Sequence, residues 1–255
     1  MKYGVCGGME RGEVAAAAGY DYMEWSVAEL LCPRQPEVAF QALSASLKAS
    51  ALPYKVANGF VPGDLKITGP AADLAALEAY VRSVMERAQR FGLDTIVFGS
   101  GGARQIPYGF DRQAAHGQLL AFCRMVGPIA QAHAVTVVVE PLNKAECNVL
   151  NTVAECAGLV EEVAHPSIRL LVDAYHMMRD DDPVESIQTY GHLLAHVHVA
   201  TVPNRLAPGA EPCDLSACFR ALMAIGYAGR ISIEGNIPQP ETELPVAIRL
   251  MRQYT

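Results

Sequence analysis

Short runs of β-forming residues recur eight times along the chain, and each is followed by a segment with helical spacing. Several runs, such as residues 135–139 and 168–172, are continuous stretches rich in Val, Ile and Leu. Continuous apolar runs suit parallel strands that are covered on both faces. Eight strand–helix units over about 250 residues are typical of a single (β/α)8, or TIM, barrel. The predicted strands are residues 3–6, 22–27, 54–57, 95–98, 136–140, 169–173, 195–199 and 230–234.

A doubly wound parallel sheet is the alternative fold, but it usually has a glycine-rich phosphate turn after its first strand. The glycines at 4, 7 and 8 do not have that spacing. No linker or low-complexity stretch divides the chain, so residues 1–255 are predicted to form a single TIM-barrel domain. With 51% hydrophobic and 18% charged residues, the chain can fill a large core.

Helix boundaries are marked by capping residues and glycines. Gly92 ends the helix before the fourth predicted strand, and Asp111 begins the helix after it. Pro128 predicts a kink or a break in that second helix. Asp173 and Asp182 flank one loop, and only Asp182, which precedes a proline, is predicted to cap a helix.

The charge pattern argues against a polyanion as partner. Formal net charge is −7, and the 20 basic residues form no run, so we expect no nucleic-acid binding. Seven cysteines form an odd set without a C-x-x-C pair, which predicts reduced thiols. The first residues lack a signal-peptide pattern and no apolar stretch approaches about 20 residues. We therefore expect a cytoplasmic protein without membrane contact.

Polar side chains follow four successive predicted strands at the ends that meet in a barrel's mouth. These are Glu140, Asp173, His198 and Glu234. A carboxylate after a buried run is costly unless it is paired, exposed or bound to a cation. Each acid alone could merely open a loop or cap a helix, whereas four together predict a shared site for Mn²⁺, Mg²⁺ or Co²⁺. His196 points to the same face one layer lower, where it is predicted to hydrogen-bond inside the barrel.

Other residues allow two interpretations. Trp25 could form a wall of a sugar pocket or pack in the core. Glu24 could be a further acid in the mouth, or a surface residue or helix cap. Lys66 and Arg104 could meet a phosphate or simply be solvated. The glycine-rich segment 99–102 is predicted to be a flexible loop.

Four motifs in the C-terminal half resemble one known family. Residues 140–146 read Glu-Pro-Leu-Asn-Lys-Ala-Glu, and residues 173–177 read Asp-Ala-Tyr-His-Met. A His-x-His strand at 196–198 and a final strand-end glutamate at 234 follow in the same order. This order resembles that of the xylose isomerase-like TIM barrels, and within them most closely the ketose 3-epimerases and hydroxypyruvate isomerases.

The resemblance implies a role for each matching residue. It implies one divalent metal ion, Mn²⁺ first and otherwise Mg²⁺, Co²⁺ or Zn²⁺, held by Glu140, Asp173, His198 and Glu234. Glu140 and Glu234 would also be the catalytic acid/base pair. Glu146 and His176 would contact sugar oxygens, and Arg205 is similar to a substrate-binding arginine. The substrate would be a sugar or sugar phosphate, and the protein a possible homo-oligomer. The spacing from His198 to Arg205 is one residue longer than in the epimerases, and segment 200–202 lacks their acidic residue.

These observations predict a metal-dependent isomerase or epimerase that moves a proton beside a ketose carbonyl through an enediolate. A sugar lyase or dehydratase could use the same mouth to expel a β-substituent. An abasic-site endonuclease would need a histidine-rich multi-zinc site, yet the first four predicted strands contain no histidine. A non-catalytic sugar-binding barrel is the remaining alternative.

Overall fold

The computed structural model describes all residues, 1–255. Eight parallel strands pair in chain order, and β8 pairs with β1, so the sheet closes into a barrel. The strands are β1 (Lys2–Cys6), β2 (Tyr22–Ser26), β3 (Tyr54–Asn58), β4 (Thr95–Phe98), β5 (Thr136–Val139), β6 (Ile168–Asp173), β7 (Leu194–Val199) and β8 (Arg230–Ile233). The prediction of a single (β/α)8 barrel is confirmed, and each strand begins and ends within one residue of its predicted bounds.

Helices connect the strands and surround the barrel. They are α1 (Met9–Ala18), α2 (Val27–Leu31), α3 (Glu37–Leu47), α4 (Leu74–Phe91), α5 (Gly101–Arg104), α6 (Arg112–Ala132), α7 (Val153–Val163), α8 (Ala174–Arg179), α9 (Glu185–Tyr190), α10 (Ser216–Ala224) and α11 (Pro240–Gln253). A 3-10 turn, Gly191–Leu193, precedes β7. None of these helices combines the length and the apolar character needed to cross a bilayer.

Side chains alternate between the barrel interior and the layer beneath the helices, as strand geometry requires. The outer layer holds the main core of 63 buried residues. Inside the barrel, a smaller apolar cluster consists of Tyr22, Val56, Val97, Val138 and Leu171. The rest of the interior, on β2, β7 and β8, is polar. On each of these strands, the residue two positions further along also points inward and faces the mouth of the barrel. The functional groups occupy such positions.

An ion pair closes the opposite, N-terminal end of the barrel. Arg230 at the start of β8 donates from Nη2 to Oδ2 of Asp94, at 2.7 Å, and from Nη1 to the Thr95 hydroxyl, at 3.3 Å. Arg230 also lies over the Tyr22 ring, 5.6 Å from its centroid. In TIM barrels this end serves stability, whereas the opposite end carries the chemistry.

Two predicted assignments of helix caps were wrong, and the break predicted as one alternative at Pro128 does not occur. Helix α6 continues through Pro128 to Ala132, although proline cannot donate the hydrogen bond of its turn. Asp173 does cap a helix, because its Oδ1 accepts hydrogen bonds from the backbone N–H groups of Tyr175 and His176. Asp182 caps no helix of its own and instead accepts from the backbone N–H of Val153, at the start of α7. The predicted caps at Asp111 and Gly92 are confirmed.

Candidate metal centre

The four strand-end groups predicted to share a site converge in the mouth of the barrel. Nδ1 of His198 lies 3.0 Å from Oε1 of Glu140, 3.4 Å from Oε2 of Glu234 and 3.9 Å from Oδ2 of Asp173. Glu140, Asp173 and His198 are almost completely buried, and Glu234 is about one-fifth exposed at the rim. They meet because each occupies the inward position at the C-terminal end of its strand.

A second histidine, His176, faces the same carboxylates from the first turn of α8. Ligand atoms of Glu140, Asp173, His176 and Glu234 all lie within 4.8 Å of one another. Oδ2 of Asp173 and Nε2 of His176 are 3.6 Å apart, and both are buried without a hydrogen-bond partner. Buried polar atoms are normally satisfied, so two orphans aimed at one point indicate a group that binds between them.

Hydrogen bonds distinguish the two histidines. The backbone N–H of Asn143 donates to Nδ1 of His176 at 3.2 Å, so in the neutral ring Nε2 carries the proton and acts as a donor. Both nitrogens of His198 face carboxylates: Nε2 lies 2.9 Å from Oε1 of Glu24, and Nδ1 lies 3.0 Å from Oε1 of Glu140 in the mouth. A cation at Nδ1 would leave the ring proton on Nε2, where the Glu24 carboxylate accepts it. His198 is arranged as a ligand, whereas His176 is arranged as a hydrogen-bond donor.

The donor set fits a hard divalent cation. Three carboxylates and one imidazole nitrogen suit Mn²⁺, Mg²⁺ or Co²⁺, and the set lacks the thiolates of a structural zinc site. The orphaned Oδ2 of Asp173 is available to such an ion because its other oxygen is already used as a helix cap. The residues present therefore fit the group that the sequence motifs imply.

The environment shifts the pKa values of the two glutamates in opposite directions. Burial and the nearby Glu234 charge raise the pKa of Glu140. Burial also opposes ionisation of Glu234, but the adjacent His198 and Arg205 outweigh it and lower the pKa of Glu234. Two carboxyl groups with separated pKa values are typical of an acid/base pair.

Three residues predicted to contact a substrate surround the carboxylates. Nη2 of Arg205 lies 2.5 Å from Oε2 of Glu234, and its Nη1 lies 3.4 Å from Oε1 of Glu146. The guanidinium also covers the Tyr175 ring, 4.7 Å from the centroid. Glu146 in turn accepts from the side-chain amide of Asn143, at 2.8 Å. A polar rim thus lies directly above the predicted metal ligands.

The structure does not bring Trp25 into this cluster. Trp25 alternates with the inward-facing Glu24 on β2 and packs against the Tyr54 ring, with centroids 6.2 Å apart. Arg104 is completely buried and donates to backbone carbonyls, including that of Glu140 at 2.7 Å. Lys66 donates to the carbonyl of Gly102 at 2.8 Å. Trp25 is therefore a packing residue, and Arg104 has a structural role.

Two residues of the mouth were missed or left ambiguous in the sequence. Glu24 is completely buried and contacts both His196 and His198, so it is neither a surface residue nor a helix cap. Gly99 faces inward at the end of β4, where an added Cβ would lie 2.1 Å from Oε2 of Glu140. The predicted flexible loop is in fact a strand end followed by helix α5. The signal that could have identified Gly99 was a glycine at the inward position after β4, facing the strand-end residue Glu140.

Comparison with known proteins finds a matching family and several relatives. A family model described as "Xylose isomerase-like TIM barrel" matches residues 13–254. The chain is 25% identical over 228 residues to D-psicose 3-epimerase of Ruminiclostridium cellulolyticum, covering 87% of this chain and 76% of that protein. It is 27% identical to L-ribulose 3-epimerase of Methylomonas sp., covering 86% and 75%. The crystal structure of D-allulose 3-epimerase from Methylomonas sp. in complex with D-allulose superimposes with a TM-score of 0.84 at 21% identity, over 100% of this chain and 97% of that one.

Proposed function

The chain belongs to the xylose isomerase-like TIM barrel family, and we propose that it is a metal-dependent sugar epimerase or isomerase acting beside a ketose carbonyl. Relatives that match most of its length are ketose 3-epimerases, which supports an epimerase or isomerase. The observation that carries the proposal is the convergence of Glu140 and Glu234 with Asp173 and His198 in one mouth.

Glu140 and Glu234 are proposed to be the proton-transfer pair as well as ligands. They follow β5 and β8, which β6 and β7 separate, so their carboxylates can approach a bound sugar from different sides. A divalent ion held by these residues, Asp173 and His198 would supply Lewis-acid stabilisation of the enediolate. One glutamate removes the proton next to the carbonyl, and the other returns a proton on the other side or at the neighbouring carbon.

Arg205, Glu146 and His176 are proposed to orient the sugar. His176 presents its Nε2–H into the mouth, and Glu146 presents a carboxylate held by Asn143. Arg205 already bridges Glu146 and Glu234. A sugar hydroxyl can therefore bind beside these charged groups, and none of them is left buried without an ionic partner. Such positioning groups lower the barrier by restricting the reactants to a reactive geometry.

We propose an unphosphorylated sugar as substrate. Arg205 is paired with two carboxylates, Arg104 is buried on backbone carbonyls, and Lys66 donates to a carbonyl. None of these three cationic side chains is therefore free to bind a phosphate. Free ketoses are expected to give the higher kcat/KM in a screen that pairs each ketose with its phosphate ester.

Proton NMR in D₂O with the Mn²⁺-reconstituted protein and a panel of ketoses tests the function. We expect deuterium to enter the recovered isomer, at the carbon beside the carbonyl. Glu140→Gln and Glu234→Gln should each lower kcat by about 10²–10⁴-fold, the usual contribution of a positioned general acid or base. Glu162→Gln, a matched change of an exposed glutamate on α7, should leave kcat unchanged.

Two results would contradict the proposal. Wild-type turnover in both Glu140→Gln and Glu234→Gln would remove the proton-transfer pair. An unsaturated product in place of an isomer would show that the same mouth performs an elimination, the reaction of a lyase or dehydratase.

A further inference from the structure

A buried carboxylate, Glu24, lies beneath the predicted metal ligands. It points inward from β2 and reaches across the barrel to β7 and β8. Its residue is 0% exposed, as are His196, His198 and Ser232 around it. A buried carboxylate is costly unless hydrogen bonds compensate for its lost hydration. The hydrogen-bond partners of Glu24 therefore indicate its role.

Both oxygens of Glu24 are occupied by donors. Oε1 lies 2.9 Å from Nε2 of His198. Oε2 lies 3.1 Å from Nε2 of His196 and accepts from the Ser232 hydroxyl at 2.7 Å. Because Oε2 is held by two partners, the carboxylate cannot rotate away from His198. Its orientation is thus set by His196 and Ser232, neither of which is a predicted metal ligand.

We propose that Glu24 is the positioning residue of the metal centre, which orients His198 and sets its tautomer. Both ring nitrogens face carboxylates, Nε2 that of Glu24 and Nδ1 that of Glu140, and a cation would compete only for Nδ1. An ionised carboxylate only accepts hydrogen bonds, so the ring of a metal-bound His198 carries its proton on Nε2, towards Glu24. Nδ1 then keeps its lone pair on the side of Glu140, Asp173 and Glu234. A carboxylate partner also makes the imidazole a stronger ligand, as in other carboxylate–histidine–metal arrangements.

This inference rests on the metal site of the proposed function, but its test does not use turnover. Titration calorimetry of the metal-free protein with Mn²⁺ compares the wild type with Glu24→Gln. The amide has nearly the same size but no charge, and it can present an N–H to His198. We expect Mn²⁺ to bind about 10–100-fold more weakly, the usual effect of losing such a partner.

Tyr22→Phe is the matched control. The Tyr22 hydroxyl bonds Ser232 at 2.8 Å and touches neither Glu24 nor His198 in the hydrogen-bond network. The variant therefore also removes a buried hydrogen bond inside the barrel, and we expect its Mn²⁺ affinity to stay within about threefold of wild type. Wild-type Mn²⁺ affinity in Glu24→Gln, or an equal loss in Tyr22→Phe, would overturn the proposal.

A second measurement on the wild type decides the case even if Glu24→Gln does not fold. Long-range ¹H–¹⁵N NMR of the protein loaded with diamagnetic Mg²⁺ should show His198 protonated at Nε2 and metal-bound at Nδ1. A proton on Nδ1, or no Mg²⁺-dependent change of the ring, would overturn the proposal. If the expected tautomer is found and no ketose is converted, the proposed function fails and the role of Glu24 stands.

Discussion

Two histidines in the barrel mouth differ in the partner of the ring nitrogen that points away from the mouth carboxylates, and this difference decides their chemistry. Nδ1 of His176 accepts from the backbone of Asn143, whereas Nε2 of His198 contacts Glu24. A neutral imidazole has one donor and one acceptor, so Nε2 of His176 is a donor. Nδ1 of His198, which faces Oε1 of Glu140 at 3.0 Å, is the nitrogen offered to a cation.

His176→Gln separates substrate binding from metal binding. Losing a hydrogen bond to a sugar oxygen should lower kcat/KM by about 10–100-fold, the effect of about 1.5–3 kcal/mol. Mn²⁺ affinity should stay within about threefold, because His176 is a donor and not a ligand. His198→Gln is the counterpart and should weaken Mn²⁺ binding strongly. Loss of Mn²⁺ binding in His176→Gln would place that residue in the ligand set.

Gly99 makes room for a reactive carboxylate. A Cβ there would lie 2.1 Å from Oε2 of Glu140, so Gly99→Ala must displace this group. A shift of about 1 Å can cost about 10²-fold in rate, and we expect a kcat loss of that size. Gly117→Ala is the control, because its Cβ meets nothing within 4 Å on α6. It should keep kcat and add up to about 1 kcal/mol of stability. Normal kcat in Gly99→Ala would show that Glu140 need not occupy this position.

The sequence predicted individual site residues where a side chain able to bind a metal stands at the end of a predicted strand. Glu140, Asp173, His198 and Glu234 each follow a buried run, so their place in the mouth could be deduced. Glu24 could not be assigned in the same way, because its partner His198 is 174 positions away and on a strand across the barrel. Contacts across the barrel depend on which side chains fill the interior, and no local pattern reports that.

Among the elements, the junction of β6 and α8 combines two tasks in one side chain. Oδ1 of Asp173 accepts from two backbone N–H groups of α8, and Oδ2 faces the predicted metal ligands. The same carboxylate therefore starts a helix and is offered to a cation. The sequence predicted the second task and missed the first, because Asp182, which precedes a proline on the other side of the same loop, was predicted to be the cap.

Substitutions of Asp173 separate these tasks. Asparagine caps helices as well as aspartate does, and both substitutions remove the same charge, so metal-free Asp173→Ala should be about 1 kcal/mol less stable than Asp173→Asn. Both variants should bind Mn²⁺ at least about 10-fold more weakly. Urea unfolding and calorimetry measure the two effects. Equal stability of the alanine and asparagine variants would show that the cap contributes nothing.

Strand positions were the most predictable part of the elements, because buried parallel strands need continuous apolar runs. Helix α6 was less predictable, since its apolar face packs on the core on both sides of Pro128. That packing compensates for the hydrogen bond that proline cannot make. Local breakers therefore predict an interruption that tertiary contacts can override.

For the molecule as a whole, the proposed catalytic groups and a stabilising ion pair lie at opposite ends of one barrel. The mouth gathers carboxylates that destabilise one another, while the N-terminal end is closed by Arg230 and Asp94. Burial opposes ionisation of Asp94, but the hydrogen bond and charge of Arg230 outweigh it and lower the pKa of Asp94. The contribution of this pair is therefore present above the unfolded-state pKa and is lost as the pH falls through the folded-state pKa.

Asp94→Asn tests the N-terminal end without touching the mouth. Near pH 7 the variant should be less stable by about 1 kcal/mol, a modest value because Asp94 is 42% exposed. The difference from wild type should shrink as the pH falls below about 4, where the Asp94 carboxylate of the unfolded chain begins to be protonated while that of the folded protein still resists protonation. Urea unfolding of the metal-free proteins measures both values. A difference that stays constant with pH would show that the charge of Asp94 does not contribute.

The anomalous scattering of a crystal grown with Mn²⁺ tests the central claim most directly. The account predicts one manganese peak per chain, bonded to Glu140, Asp173, Glu234 and Nδ1 of His198. A peak at another place in the fold, or none at all in the mouth, would contradict it.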